Sequence, residues 1–282
     1  MNGVGLALPS VVSAEDAGKV SVLWVVPVAS MSATVPASVP APVFVAITAE
    51  SGGGNGDRAV GRAAEFKWGP GIRTLIAGGG ASHDFDRWFN HADSATLAAG
   101  AKASVNYTDQ PGEILPALKG LQVLYLNLNQ PLTGPALRKG IFDFADSEKG
   151  LLLVHPALWY NWSDWPEYNR VLAGGGARSH DKYGEFEVTV IEASHPLMAG
   201  VPVTFKITDE LYHFAADPQG TPLEVLATGK SPLTGKTFPV LWIVKHPKAR
   251  IVCITLGHDG AAHEHPAFKT ILQNSLSWAA GK

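Results

Sequence analysis

From residue 72 to the C-terminus, short apolar runs alternate with stretches in which apolar positions recur every three or four residues. The runs at 72–77, 103–107, 121–126 and 151–154 predict strands, and the stretches at 87–99, around 112–118 and at 135–147 predict helices between them. Thr133 and Pro135 mark the first turn of the third helix, since proline is well tolerated where the backbone N–H has no partner. Such alternation is the mark of βα units that build a mainly parallel sheet. After Gly174-Gly175-Gly176 the pattern changes. Residues 185–191 alternate like a half-exposed strand, further short strands are expected at 205–207, 223–227, 240–244 and 251–255, and an amphipathic helix closes the chain at 268–279. No internal repeat is visible in this passage.

The N-terminal part reads differently. Residues 20–49 carry no charge, but Pro27, Pro36, Pro40 and Pro42 interrupt them, and a proline inside a helix costs about 3 kcal/mol. A membrane-spanning helix is therefore not expected. Two readings of residues 1–49 stand. One is an export leader, with Lys19 ahead of the apolar residues 20–29 and Ser30-Met31-Ser32 as a small-x-small cleavage site; it would send the protein to the periplasm or outside the cell. The other is an apolar, Pro-rich extension of a cytoplasmic protein, which Glu15 and Asp16 in the long stretch before Lys19 favour. Residues 50–70, with Ser51-Gly52-Gly53-Gly54-Asn55-Gly56-Asp57, have the composition of a flexible linker, and the folded domain is expected at 71–282.

Composition narrows the chemistry. The chain has 282 residues, a net charge of -3 and no basic stripe, so nothing supports electrostatic capture of nucleic acid. The one cysteine, Cys253, excludes an internal disulfide and any structural zinc site needing two thiolates. No G-x-S-x-G turn and no GxxxxGK[ST] phosphate loop is present, and the triple glycines lack the spacing of a dinucleotide fingerprint. Histidine and carboxylate chemistry remains. An open parallel sheet binds its ligands beyond the carboxyl ends of the strands. That edge collects His83-Asp84, then Asn127 and Asn129, then His155, then Gly257-His258-Asp259, each after a different predicted strand.

Gly78-Gly79-Gly80-Ala81-Ser82-His83-Asp84-Phe85, the strand end Gly150-Leu151-Leu152-Leu153-Val154-His155, His195-Pro196-Leu197, Asp209-Glu210-Leu211-Tyr212, Pro239-Val240-Leu241-Trp242 and Leu256-Gly257-His258-Asp259 follow one another along the chain. In this order they resemble the trehalose-utilisation (ThuA-like) family, over residues 72–280. The resemblance implies the class I glutamine amidotransferase-like, flavodoxin-like α/β superfold, a three-layer sandwich around a mainly parallel sheet. In amidotransferases of that superfold a catalytic cysteine sits on the sharp turn after a central strand. Here that position carries His155, and Cys253 lies in the apolar run Ile251-Val252-Cys253-Ile254-Thr255, where a thiol behaves as a small buried hydrophobe. Cysteine-dependent amidotransfer is not expected.

His83, His155 and His258 can each move protons near neutral pH or, when neutral, bind a divalent metal such as zinc. The alternative for each is a strand-end histidine bonded to backbone. A metal would be held by these three, with His180 or Glu210 as a further ligand. The resemblance places Asp209, Glu210 and Tyr212 in a loop reaching the pocket, with Glu210 as a catalytic base or a partner of sugar hydroxyls; otherwise they are surface charge after a strand. It also places His180 ahead of Gly184-Glu185-Phe186. Asp84 and Asp259 either contact substrate or cap helices. Trp159-Tyr160-Asn161-Trp162 and Trp165 can stack on a sugar ring or fill a core. Asn127, Trp159, Trp162, His180, Asp209 and Tyr212, with the two capping candidates, are the expected substrate contacts. His195-Pro196 reads as a turn, and His263-Glu264-His265 as a solvated loop or, if extended, a metal-binding pair. The resemblance implies an enzyme, a lyase, isomerase or hydrolase, of trehalose or related keto-disaccharide catabolism, with a small carbohydrate as its partner. The second reading is a non-catalytic sugar-binding or structural module on the same fold.

Overall fold

Successive residues of a strand point to opposite faces, so a strand buried on both sides must be apolar at nearly every position. The run Ile72–Ala77 is such a strand: Ile72 and Ile76 enter one core, and Leu75 and Ala77 the other. In the computed structural model, which describes residues 66–282, the strands in chain order are β1 (Ile72–Ala77), β2 (Ala103–Thr108), β3 (Val123–Leu126), β4 (Gly150–Val154), β5 (Gly175–Gly176), β6 (Gly184–Val190), β7 (Thr204–Asp209), β8 (Ala215–Ala216), β9 (Leu223–Lys230), β10 (Thr237–Val244) and β11 (Arg250–Ile254). The helices are α1 (Ser94–Gly100), α2 (Pro111–Ala117), α3 (Pro135–Asp146), α4 (Gly260–His263) and α5 (Pro266–Ala279).

Nine strands form one sheet in the order β2-β1-β3-β4-β11-β10-β9-β6-β7, and β5 and β8 pair apart from it. The five from β2 to β11 are parallel, in the doubly wound order of flavodoxin-like sheets. The remaining pairings, out to β7, are antiparallel. That antiparallel wing is built by the part of the chain whose pattern changes after Gly174-Gly175-Gly176. α1 and α5 cover one face of the sheet, while α2, α3 and a π-helical segment, Tyr168–Ala173, cover the other. The three expected layers are therefore present, and each fully buried Leu or Ile in them contributes about 1.5 to 3 kcal/mol.

Gly150 shows how closely the layers meet. A Cβ there would lie 2.5 Å from the carbonyl oxygen of Ala279, at the end of α5. The helix expected at 87–99 begins as a π-helical segment, Asp86–Asp93, before continuing as α1. Cys253 is buried in the core on the α2 and α3 face, and burial pushes its thiol well above the ordinary cysteine range. Phe66 and Trp68, expected in the linker, pack against that same core. The leader expected at 1–49 and residues 50–65 of the linker lie outside the described residues. Among the described residues no helix is long and apolar enough to cross a membrane.

Candidate functional site

In a doubly wound sheet the chain leaves neighbouring strands in opposite directions at one point, and a crevice opens there beyond the strand ends. Here that point lies between β1 and β3. After β1 the chain turns through Gly79 and Gly80, both at positive φ, and a Cβ at Gly80 would collide with the Asn129 amide. That amide laces the two loops: it accepts the N–H of Ala81 at 2.8 Å and donates to the Ala81 carbonyl at 3.0 Å. Gln130, one residue on, donates to the Gly78 carbonyl at 2.7 Å. The turn delivers His83, whose Nδ1–H donates to the Ala81 carbonyl at 3.0 Å.

His155 follows β4 directly, in the left-handed region at φ 45°. A non-glycine residue there carries roughly 1 to 3 kcal/mol of strain. Pro156 behind it opens a short 3₁₀ turn. The His155 ring is wholly buried, and its Nδ1–H donates to the Thr255 carbonyl at 2.7 Å. Burial, with the neighbouring His83, pushes its pKa well below the ordinary histidine value; burial lowers that of His83 as well. Each Nδ1–H is committed to a carbonyl, and the lowered pKa favours the neutral ring, which leaves its lone pair on Nε2.

The carboxylate comes from the far side of the sheet. Asp209, at the end of β7, is buried and accepts backbone N–H groups from Glu210 at 2.7 Å, Gly257 at 2.7 Å and His258 at 3.1 Å. Burial raises its pKa to about 6, against the pull of those three donors. Asp209 therefore orders the backbone that carries Glu210 and His258. Oε2 of Glu210 lies 3.2 Å from Nδ1 of His258 and 3.8 Å from Nε2 of His155, while Oε1 lies 3.7 Å from Nδ1 of His180. The Glu210 carboxylate raises the pKa of His258. Burial alone would raise that of Glu210, but His258, His180 and His83 outweigh it and hold the group below its ordinary range.

One donor atom each from His83, His155, Glu210 and His258 fall within 4.8 Å of one another. Above them opens a pocket of about 570 Å³, walled by Trp159 and Tyr212 and edged by Asn129, Gln130, Asn161 and His180. Trp159 meets Tyr212 edge to face at 5.3 Å, and Tyr212 lies 4.5 Å from His155. His180 is held beside Tyr212 by a small network. His213 Nε2–H donates to Asp181 at 2.9 Å, Ser179 bonds to His213 Nδ1 at 3.0 Å, and the backbones of 179–181 and 211–213 pair alongside.

Of the residues singled out in the sequence, His83, His155, Glu210 and His258 converge, and Trp159, His180 and Tyr212 line the pocket. Others stand elsewhere, each for a local reason. Asp84 is exposed and accepts the N–H of Arg87 in the first turn of the following helical segment. Asp259 caps α4 through the N–H of Ala261 and accepts the Tyr183 hydroxyl at 2.8 Å. Trp162 is core, packed with Trp165 and Tyr168 and donating to the Gln130 carbonyl at 2.9 Å. Asn127 is wholly buried under the loops and does not line the pocket. Asp209 acts through the backbone and is likewise not part of the lining. His195 shapes a turn by accepting the N–H of Leu197.

His263-Glu264-His265 is neither an extended metal pair nor a solvated loop. The segment joins two helices and its rings have separate tasks: the extended His265 caps α5, and His263, the last residue of α4, is buried between the Asp93 carboxylate at 2.7 Å and the Gly257 carbonyl at 2.9 Å. The second oxygen of Asp93 accepts the Tyr125 hydroxyl at 2.7 Å. Asp93 carries no sequence signal, because its partner lies 170 residues away. Gln130 and the carbonyl of Thr255, also unforeseen, act through loop contacts and backbone atoms that no residue type announces.

The sequence model described as ThuA, trehalose utilisation, matches residues 80–279. Among solved structures, a ThuA-like protein from Parabacteroides merdae superposes with a TM-score of 0.67 at 22% identity, over 76% of this chain and 91% of that one. A ThuA-like protein from Bacteroides uniformis gives 0.63 at 19% identity, over 78% and 95%. A cytoplasmic protein, STM1381, from Salmonella typhimurium gives 0.55 at 14% identity, over 74% and 99%. At these identities the likeness is one of fold. No curated protein matches the chain.

Proposed function

The chain belongs to the trehalose-utilisation (ThuA) family, and on that premise we propose that it is an enzyme of trehalose or related keto-disaccharide catabolism whose reaction centre is the cluster His83, His155, His258 and Glu210. The observation that carries this reading is the position of the cluster, at the floor of a pocket with an aromatic wall and amide side chains at its edge. Aromatic faces with adjacent amides suit a sugar ring and its hydroxyls.

The two oxygens of Glu210 divide the site. Oε2 faces His258, whose pKa it raises, and the protonated His258 ring at the pocket floor can hold and polarise a substrate oxygen, with the buried His155 behind them. Oε1 faces His180 on the open side, where a proton can be taken from the substrate and returned. A carbonyl in the sugar acidifies the adjacent C–H, so this division suits elimination or isomerisation of a keto-sugar, and polarising a glycosidic oxygen suits hydrolysis. The test is product formation. Purified protein is incubated with trehalose, other disaccharides and their keto forms, and the mixtures are resolved by mass spectrometry and NMR. A new product from at least one of them is expected, and an unchanged panel at enzyme concentrations equal to substrate would overturn the reading.

A further inference from the structure

Acid–base sites are built so that donors face acceptors. The centre of this cluster is different, because lone pairs face lone pairs. His83 and His155 both spend their Nδ1–H on backbone carbonyls, of Ala81 and Thr255, and these bonds fix the tautomer that turns Nε2 inward. Among the described residues both Nε2 atoms are buried without a hydrogen-bond partner, and so is Nδ1 of His258. Oε2 of Glu210 adds an acceptor-only oxygen. One proton on His258 can satisfy Glu210 but leaves the two Nε2 atoms facing each other. Burying nitrogens that have no partner is unfavourable.

A single cation satisfies all four groups, and we infer that His83 Nε2, His155 Nε2, His258 Nδ1 and Glu210 Oε2 form a binding site for one divalent transition-metal ion of the zinc type. Three imidazoles and one carboxylate are a donor set for zinc, cobalt, nickel or iron(II), and a poor one for calcium or magnesium, which take oxygen. Ligand atoms about 2.1 Å from a tetrahedral ion lie about 3.4 Å from one another; the distances of 3.2 and 3.8 Å from Oε2 to two histidines bracket that value, and all four atoms lie within 4.8 Å, so the side chains need only close in slightly on an ion. Outer partners are in place too: the carbonyls of Ala81 and Thr255 orient two rings, and Asp209 fixes the backbone of the other two ligands. His180 stands outside the set, its Nδ1 committed to the Asp181 carbonyl at 2.7 Å, beside the pocket from which a substrate oxygen would reach the ion. Cys253, buried in the opposite core, has no part in it.

The inference stands apart from the sugar reading, since the ion can be measured with no substrate present. Protein prepared without a histidine tag is stripped with chelator and titrated with Co(II) and Zn(II) by calorimetry and visible spectroscopy. One equivalent per chain is expected, with cobalt bands of a four- or five-coordinate site. His83→Ala and His258→Ala should each weaken Zn(II) binding at least 100-fold, while exposed His91→Ala leaves it within twofold. Melting curves of the stripped variants establish that they are folded, and Glu210→Gln, which preserves the shape of the site, serves as the second probe with at least tenfold weakening. Binding below 0.2 equivalents by wild type, or binding that survives both histidine substitutions, overturns the assignment.

Discussion

Asp209 accepts the backbone N–H of His258 at 3.1 Å across 49 residues of sequence, and with its other oxygen the N–H of Gly257 at 2.7 Å. The end of β7 thereby fixes where the loop after β11 stands, and with it the His258 ring relative to Glu210. Removing the carboxylate strands one buried and two part-buried N–H groups, and a fully buried one costs about 1 to 3 kcal/mol. Asp209→Ala should lower the unfolding free energy by about 3 kcal/mol or more, and Asp209→Asn, which keeps one acceptor oxygen, by clearly less. Urea unfolding of the two variants measures this, and equal losses would show that the carboxylate fills space and organises nothing.

His263 carries a pH signature in stability. Both its ring nitrogens face acceptors, Asp93 and the Gly257 carbonyl, so the folded state holds it as an imidazolium. Burial opposes that charge, but Asp93 outweighs it and the pKa rises above the ordinary 6.5. A raised pKa means that the stabilisation is fully present below pH 6.5 and fades as pH climbs through the folded value. The stability difference between wild type and His263→Asn should therefore shrink progressively above pH 6.5. Denaturant titrations from pH 5.5 to 9 would show it, and a difference independent of pH would refute the imidazolium.

The two neighbouring tryptophans should separate cleanly. Trp159 lines the pocket while Trp162 is 5% exposed and packed among aromatics. Trp159→Ala is expected to weaken disaccharide binding roughly tenfold, as loss of a contact of about 1.4 kcal/mol would, with little change in melting temperature. Trp162→Ala should cost about 3 to 5 kcal/mol of stability. If Trp162→Ala instead leaves stability intact and abolishes binding, the pocket is drawn in the wrong place.

These contrasts show what a sequence can carry. The strand ends were legible because apolar runs such as 72–77 and 151–154 stop abruptly, and a histidine standing just past such a stop is visible as one. His83, His155 and His258 stand at such stops, and the fold brings their side chains together. Glu210 and Tyr212 needed the family resemblance, since β7 lies at the far antiparallel edge of the sheet and only the fold brings the chain after it back to the parallel strands. Trp162 and Asp84 misled because aromatic and acidic side chains serve cores and caps as readily as ligands; which of these holds depends on direction, and residue type does not encode it. Asp93, Thr255 and the tautomers of His83 and His155 were beyond reach, being set by contacts between distant segments and by backbone carbonyls.

On the proposed function, the cluster of His83, His155, His258 and Glu210 performs chemistry on a sugar held against Trp159 and Tyr212. Its most direct test is the turnover of Glu210→Gln on whichever disaccharide or keto-disaccharide the wild type converts, with binding of that sugar measured in parallel. The expected result is a fall in kcat of at least 100-fold, about 2.7 kcal/mol of lost transition-state stabilisation, while the sugar still binds within tenfold of wild type. Turnover within threefold of wild type would contradict it.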